Sequence, residues 1–132
     1  MIKRNNEYLV FIALLFASAI ALLSSTLNPF IKHMPGYDSS VFIYCAKQIL
    51  NGKLIYRDVI DHKGPIIYLI NIIGLKIFHG NNSGIWFLEL ISLTFTCYIT
   101  YKTIRLFCNV LISFLSVIVG TAFLVTVLEG GN

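Results

Sequence analysis

The sequence predicts an all-α integral membrane protein, with about three transmembrane helices and two interfacial amphipathic helices in the first external loop. Three observations lead there. Hydrophobic residues make up 57% of the chain and charged residues 12%, with a mean hydropathy of +0.80; a soluble domain carries about 25% charged residues. Such a chain cannot cover its apolar surface with polar groups, so the bilayer is the expected solvent. Next, three nearly uncharged stretches, 8–27, 84–101 and 107–128, are each near the length that crosses roughly 30 Å of hydrocarbon. Finally, much of the titratable chemistry gathers between the first two, in residues 28–83.

Composition also excludes some functions. The net charge of +4 comes from scattered Lys and Arg. No basic stripe exists for a phosphate backbone to follow, so nucleic acid is not an expected partner. Cys45, Cys97 and Cys108 lack metal-ligand spacing, and neither a disulfide framework nor a zinc site is expected. No internal repeat or low-complexity tract is present.

Taken in order, 8–27 is an uncharged run preceded by Lys3 and Arg4. A cleaved signal peptide shows the same pattern. This run is longer than a signal core, however, and Thr26-Leu27-Asn28-Pro29 is a poor small-residue cleavage site. An uncleaved membrane helix is the expectation. Met34-Pro35-Gly36-Tyr37-Asp38 then reads as a turn. A helix is expected over 39–51, with Ser40, Tyr44, Lys47, Gln48 and Asn51 on one side. Val41, Phe42, Cys45, Ala46, Ile49 and Leu50 fill the other. Asp38 or Ser39 can cap its start and Gly52 its end.

A second amphipathic helix is expected over 65–79, opened by Pro65 and closed by Gly80-Asn81-Asn82. Tyr68, Asn71, Lys76 and His79 share one of its sides. At about fifteen residues it covers roughly 22 Å, short for a crossing, so an interfacial or re-entrant helix is preferred. The 84–101 run is apolar except for Glu89 and a few hydroxyls. Glu89 lies early in its helix and is expected to reach the interface. The 107–128 run has no formal charge. The short turn between these runs predicts an antiparallel hairpin.

Charge gives a weak vote on orientation. By density Lys3, Arg4, Lys102 and Arg105, in short segments, favour a cytoplasmic N-terminus and an external 28–83 loop, whereas by raw count Lys32, Lys47, Lys53, Arg57, Lys63 and Lys76 favour the reverse; the first is the expectation.

Within that loop, Tyr56-Arg57-Asp58-Val59-Ile60-Asp61-His62-Lys63-Gly64-Pro65 concentrates titratable side chains, with Asp38 at the start of the preceding helix. Groups gathered between two interfacial helices suit a substrate that is half lipid and half polar. A lipid phosphate fits best, because Lys and Arg match its charge and a helix N-terminus adds N–H donors. Asp58, Asp61 and His62 could ligate a metal, but three such residues close together in a loop are common by chance, and no metal or other cofactor is expected.

Pro35-Gly36-Tyr37-Asp38-Ser39-Ser40, Gly52-Lys53-Leu54-Ile55-Tyr56-Arg57-Asp58 and Asp61-His62-Lys63-Gly64-Pro65 resemble the first external loop of bacterial membrane glycosyltransferases. These have the GT-C architecture and belong with glycosyltransferase family 39, being similar to protein O-mannosyltransferases and lipid A aminoarabinose transferases. The resemblance implies an inverting hexosyl or pentosyl transferase. Its donor would be a polyprenyl-phosphate-linked sugar, and its acceptor a cell-envelope molecule at the external membrane face. It gives Asp38 the catalytic role at the acceptor hydroxyl, as base or orienting group. Lys63 takes the donor phosphate, and Tyr56, Arg57, Asp58, Asp61 and His62 belong to the substrate-binding pattern without fixed roles. Many relatives read Pro-Pro where this chain reads Gly64-Pro65, and many carry an acidic pair where Ser39 follows Asp38. The missing second acid argues against a metal or paired-carboxylate role.

A fixed cation at Lys63 would stabilise the charge gained by a departing lipid phosphate. A free Asp titrates near 3.9, and desolvation in a cleft would strengthen its hold on a hydroxyl proton. Complete enzymes of this type are several hundred residues long. Residues 1–132 are therefore expected to be the N-terminal part of a GT-C domain, inactive without the C-terminal helices. The alternative reading is a small non-catalytic membrane protein that binds lipid phosphate or a partner membrane protein.

Overall fold

The computed structural model describes residues 4–30, 36–59 and 62–130. Among these it is all-helical, in the order α1 (Arg4–Ala21), α2 (Tyr37–Leu50), α3 (Pro65–Ile77), α4 (Ser83–Ile104) and α5 (Val110–Gly130). The only extended pairing among the described residues is an isolated bridge between Ile55 and Val59. Among the described residues α4 is the helix long and apolar enough to cross a membrane. Its 22 residues rise roughly 33 Å.

The helices fall in the expected order but with shifted ends. The first ends at Ala21 instead of running to residue 27. Ser24 Oγ donates to the Ala21 carbonyl at 2.8 Å, which satisfies one of the orphan carbonyls at the helix end. α4 runs three residues past Tyr101. α5 starts at Val110 rather than 107, because the link is a turn. There Arg105 Nη1 donates to the Cys108 carbonyl at 2.6 Å, and Asn109 caps α5 by accepting from Ile112 N–H at 2.9 Å.

The chain divides into two compact units, one gathering α1, α4 from Glu89 onward and α5, the other spanning Thr26–Leu88. In the first, Leu14, Cys97, Tyr101 and Val117 form the core. Contact between Cys97 and Thr121 across the 105–109 turn makes α4 and α5 the expected antiparallel hairpin.

Polarity in this unit runs inside out. Ser18, Thr94, Ser113 and Thr121 are buried, while Phe16, Ile20, Phe95, Leu115, Val119 and Phe123 are exposed. Small hydroxyl residues let helices approach closely. Thr94, Ser113 and Thr121 discharge their O–H groups on carbonyls four residues back, at 2.7–2.8 Å. The Thr121 hydrogen is thus committed to Val117, so the Cys97 thiol is the donor across the 3.1 Å contact with Thr121 Oγ1. Ser18 Oγ donates in turn to Cys97 Sγ at 3.8 Å. This chain of weak bonds links α1, α4 and α5. Glu89 is half-buried and accepts from Ser25 Oγ at 3.5 Å.

In the second unit, Leu27, Ile43, Ala46, Leu75 and Ile85 form one cluster. α2 keeps the expected faces, with Cys45 and Ala46 buried and Ser40, Tyr44, Lys47 and Asn51 exposed. It ends as expected at Gly52, whose φ is +88°. Gly52 N–H donates to Ile49 and Lys53 N–H to Gln48, the pair of bonds that closes a helix through a left-handed residue.

α3 differs from expectation. Its terminus is Ile77, not residue 79, and His79 (φ +50°) and Gly80 (φ +90°) turn the chain away. The supposed polar side divides. Tyr68 and Asn71 are buried with Gly74 and Leu75, whereas Lys76 and His79 are exposed. The exposed face is aliphatic: Ile66, Leu69, Ile70, Ile73 and Ile77. One Asn71 Nδ2 hydrogen is donated to the Ile67 carbonyl at 2.8 Å. Gly74 permits the backbone of α4 to approach, since an added Cβ would lie 2.9 Å from Ile85 Cα and N.

Candidate functional site

The candidate site is the segment between α2 and α3 with the first turns of both helices. Asp38 and Ser39 are not caps. α2 begins at Tyr37 with Gly36 as its N-cap, and no side chain caps it. The Gly36 N–H donates instead to Thr26 Oγ1 at 3.3 Å. α3 begins the same way: Gly64 is its N-cap, no side chain caps it, and Pro65 follows. Both starts therefore leave first-turn N–H groups without side-chain acceptors.

The two helices pack on each other through aromatic rings. Phe42, one turn beyond Asp38, meets Tyr68, in the first turn of α3, edge to face at 6.3 Å between centroids. Both rings pack in the cluster of Cys45, Val59 and Tyr68, which also takes in Val41 and Ile67. Ile49, in the last turn of α2, and Ile55 complete the cluster, so α2 packs on Tyr68 and the loop along most of its length.

The intervening loop is held by its own polar groups. Tyr56 adopts φ +65°, a costly backbone state for a bulky residue. Its N–H donates to the Val59 carbonyl at 2.9 Å, and its Oη donates to the Lys63 carbonyl at 2.6 Å. Asp58 accepts from Leu54 N–H at 2.9 Å and from Arg57 in two-pronged fashion, at 2.8 and 2.9 Å. The Arg57 hydrogen bond, aided by the Leu54 N–H, holds the Asp58 carboxyl below its ordinary range, and the same contact raises Arg57.

These contacts sort the expected site residues. Tyr56 is a positioning residue for the Lys63 backbone. Arg57 and Asp58 neutralise each other, so Arg57 is not a spare cation. Lys63 is half-buried, and among the described residues its ammonium has no partner. Asp38 is exposed and its carboxylate accepts no hydrogen bond among the described residues, so the expected desolvation is not supplied by them. His62 is exposed, and Asp61 lies outside the described residues, as do Met34 and Pro35 of the expected turn. No group of His, Cys, Asp or Glu able to hold a metal occurs among the described residues.

Tyr68 and Val59 have no charge to draw attention, yet their packing sets the spacing of the site. The sequence signal for Tyr68 was its place three residues before Asn71 and six before Gly74, a narrow strip that faces protein. No family model matches the sequence, and comparison with curated proteins and with solved structures found no match.

Proposed function

We propose that this chain is a multi-pass membrane protein carrying the donor-phosphate end of a GT-C type glycosyltransferase. Together with further helices, such an enzyme transfers a sugar from a polyprenyl phosphate to a cell-envelope acceptor at the external face. The N-terminus is cytoplasmic and 28–83 is external. The 8–27, 84–101 and 107–128 runs cross the membrane, and α2 and α3 lie at its surface.

One observation carries the reading. Two helix N-termini lack side-chain caps, and Phe42, four residues after Asp38, packs edge to face on Tyr68, five residues after an unpaired Lys63. First-turn N–H groups and a lysine suit a phosphate. An acceptor hydroxyl attacks the anomeric carbon of the donor and gives its proton to the Asp38 carboxylate. The bond from that carbon to the phosphate oxygen breaks, and the electron pair leaves with the lipid phosphate beside Lys63. Outward aliphatic faces on α1, α3 and α5 support a lipid surrounding.

Binding of a polyprenyl-phosphate sugar to the chain in nanodiscs tests this reading. Lys63→Ala is expected to weaken binding by about tenfold or more, the loss of one charge-assisted contact. Asp38→Asn is expected to leave binding intact. In membranes holding any further helices the transfer needs, it abolishes sugar transfer. Equal binding by wild type and Lys63→Ala rejects the site. Lys63-dependent binding with no Asp38-dependent transfer favours the second reading, a non-catalytic lipid-phosphate binder.

A further inference from the structure

A second cluster of charge lies in the unit of α1, α4 and α5, at the opposite end from Ser25 and Glu89. It surrounds a cleft of about 250 Å³. Val10, Leu106 and Val110 supply apolar wall, while Glu7, Lys102 and Arg105 supply charge. That volume falls below the roughly 300–1,000 Å³ usual for a whole small-molecule ligand. It suits a headgroup whose hydrocarbon stays outside.

The charges are not balanced. Lys102 Nζ pairs with Glu7 Oε1 at 2.8 Å, which leaves Arg105 as the excess cation. One Arg105 nitrogen, Nη1, is fixed by the Cys108 carbonyl, and the rest of its donor fork has no acceptor among the described residues. Tyr101 also lines the cleft. It is 6% exposed, and its hydroxyl has no hydrogen-bond partner among the described residues. Buried phenols normally find one. Two donors and a net positive charge beside an apolar wall therefore lack an acceptor.

From this we infer that the α1–α4–α5 cleft binds the phosphate of an anionic phospholipid, with Arg105 and Tyr101 donating to it and the acyl chains running along Leu106 and Val110. The inference rests on the membrane part of the proposed function, and is independent of the transferase part. Lys102 serves the site indirectly, since its charge is held by Glu7.

Native mass spectrometry of the full 132-residue chain in mild detergent tests it, with phosphatidylglycerol and phosphatidylcholine as probes. Phosphatidylglycerol is expected to bind at least about fivefold more tightly, the contribution of one basic residue near a membrane surface. Arg105→Gln should erase that preference, and Tyr101→Phe should reduce it while keeping the ring's packing. Glu7→Gln should increase it by releasing Lys102, a gain that mere misfolding cannot produce. Arg105→Gln should leave Lys63-dependent binding of the polyprenyl-phosphate sugar unchanged, because the two clusters lie in separate compact units, so failure here and failure at the transferase site are distinguishable. Equal retention of the two lipids, or an Arg105→Gln protein of normal helicity with an unchanged preference, overturns the assignment. So does competition by inorganic phosphate at concentrations matching the lipid, which makes this a free-phosphate site.

Discussion

Gly84→Ala places the first added atom at the crossing of α3 and α4. A Cβ on Gly84 would collide with the Gly74 carbonyl, and its other near neighbour is Phe78 Cδ2 at 3.3 Å. The carbonyl belongs to the interior of α3 and cannot swing aside as a flexible side chain could. The reciprocal change, Gly74→Ala, meets Ile85 Cγ1 at 2.8 Å and Ile85 Cα and N at 2.9 Å, about half an ångström inside ordinary contact at 3.4 Å. Alanine gains up to about 1 kcal/mol over glycine in a helix interior, and less in the first turn where Gly84 lies. Forcing apart packed backbone costs about 1–3 kcal/mol. Gly84→Ala should therefore destabilise the Thr26–Leu88 unit by about 1–3 kcal/mol. Gly120 supplies the control, because its Cβ would meet nothing within 4 Å; Gly120→Ala should be neutral or stabilising by up to about 1 kcal/mol. Reversible unfolding in mild detergent, followed by far-ultraviolet circular dichroism, reads both. The Gly74→Ala/Gly84→Ala double variant should lose less than the sum of the singles, since one separation of the helices relieves both contacts. A Gly84→Ala protein as stable as wild type would refute the crossing.

Three other outcomes follow from the same contacts. The Asp58 carboxyl titrates below the roughly 3.9 of a free aspartate, so its stabilising contribution is complete above that pH and is lost as acid carries it through the lower folded value. A nuclear magnetic resonance titration should show that depressed midpoint, and Arg57→Ala should move it upward; an unmoved midpoint denies the pair a role. Thr121→Val removes both the acceptor for Cys97 and the bond to Val117, and should cost about 0.6 kcal/mol, with about 1.7 as the upper range for such bonds between membrane helices; a more stable variant would show the chain of bonds carries no net energy. With the chain in vesicles, a fluorescent label at Ile70→Cys on the outward face of α3 should be quenched by lipid-borne nitroxide more than by iodide in water, as for an apolar face at the membrane surface. Quenching by iodide alone would place this face in water.

Helix number, order and punctuation were legible because they depend on local physics. Gly52 ends α2 through a left-handed backbone state that the sequence marks directly. Pro65 opens α3 because its missing N–H costs nothing there. The polar cluster of 54–63 was also legible, since composition alone separates it from the apolar runs.

Which groups in that cluster are free was not legible. Arg57, Asp58 and Lys63 look equally available in sequence. The turn at Tyr56 makes the first two partners and holds only the backbone of the third. The side of α3 that faces protein was misread for a related reason. In water a helix hides its apolar stripe, and that rule assigns Tyr68 and Asn71 outward. Here they are buried on the side of Gly74, Tyr68 against Phe42 of α2, and Ile66, Ile70, Ile73 and Ile77 face out. By itself the sequence determined five helical segments, their stops and the place where polar chemistry gathers. Tertiary packing decided which faces meet, because close approach depends on small residues such as Gly74 and Gly84 from separate helices, a match that no local pattern encodes.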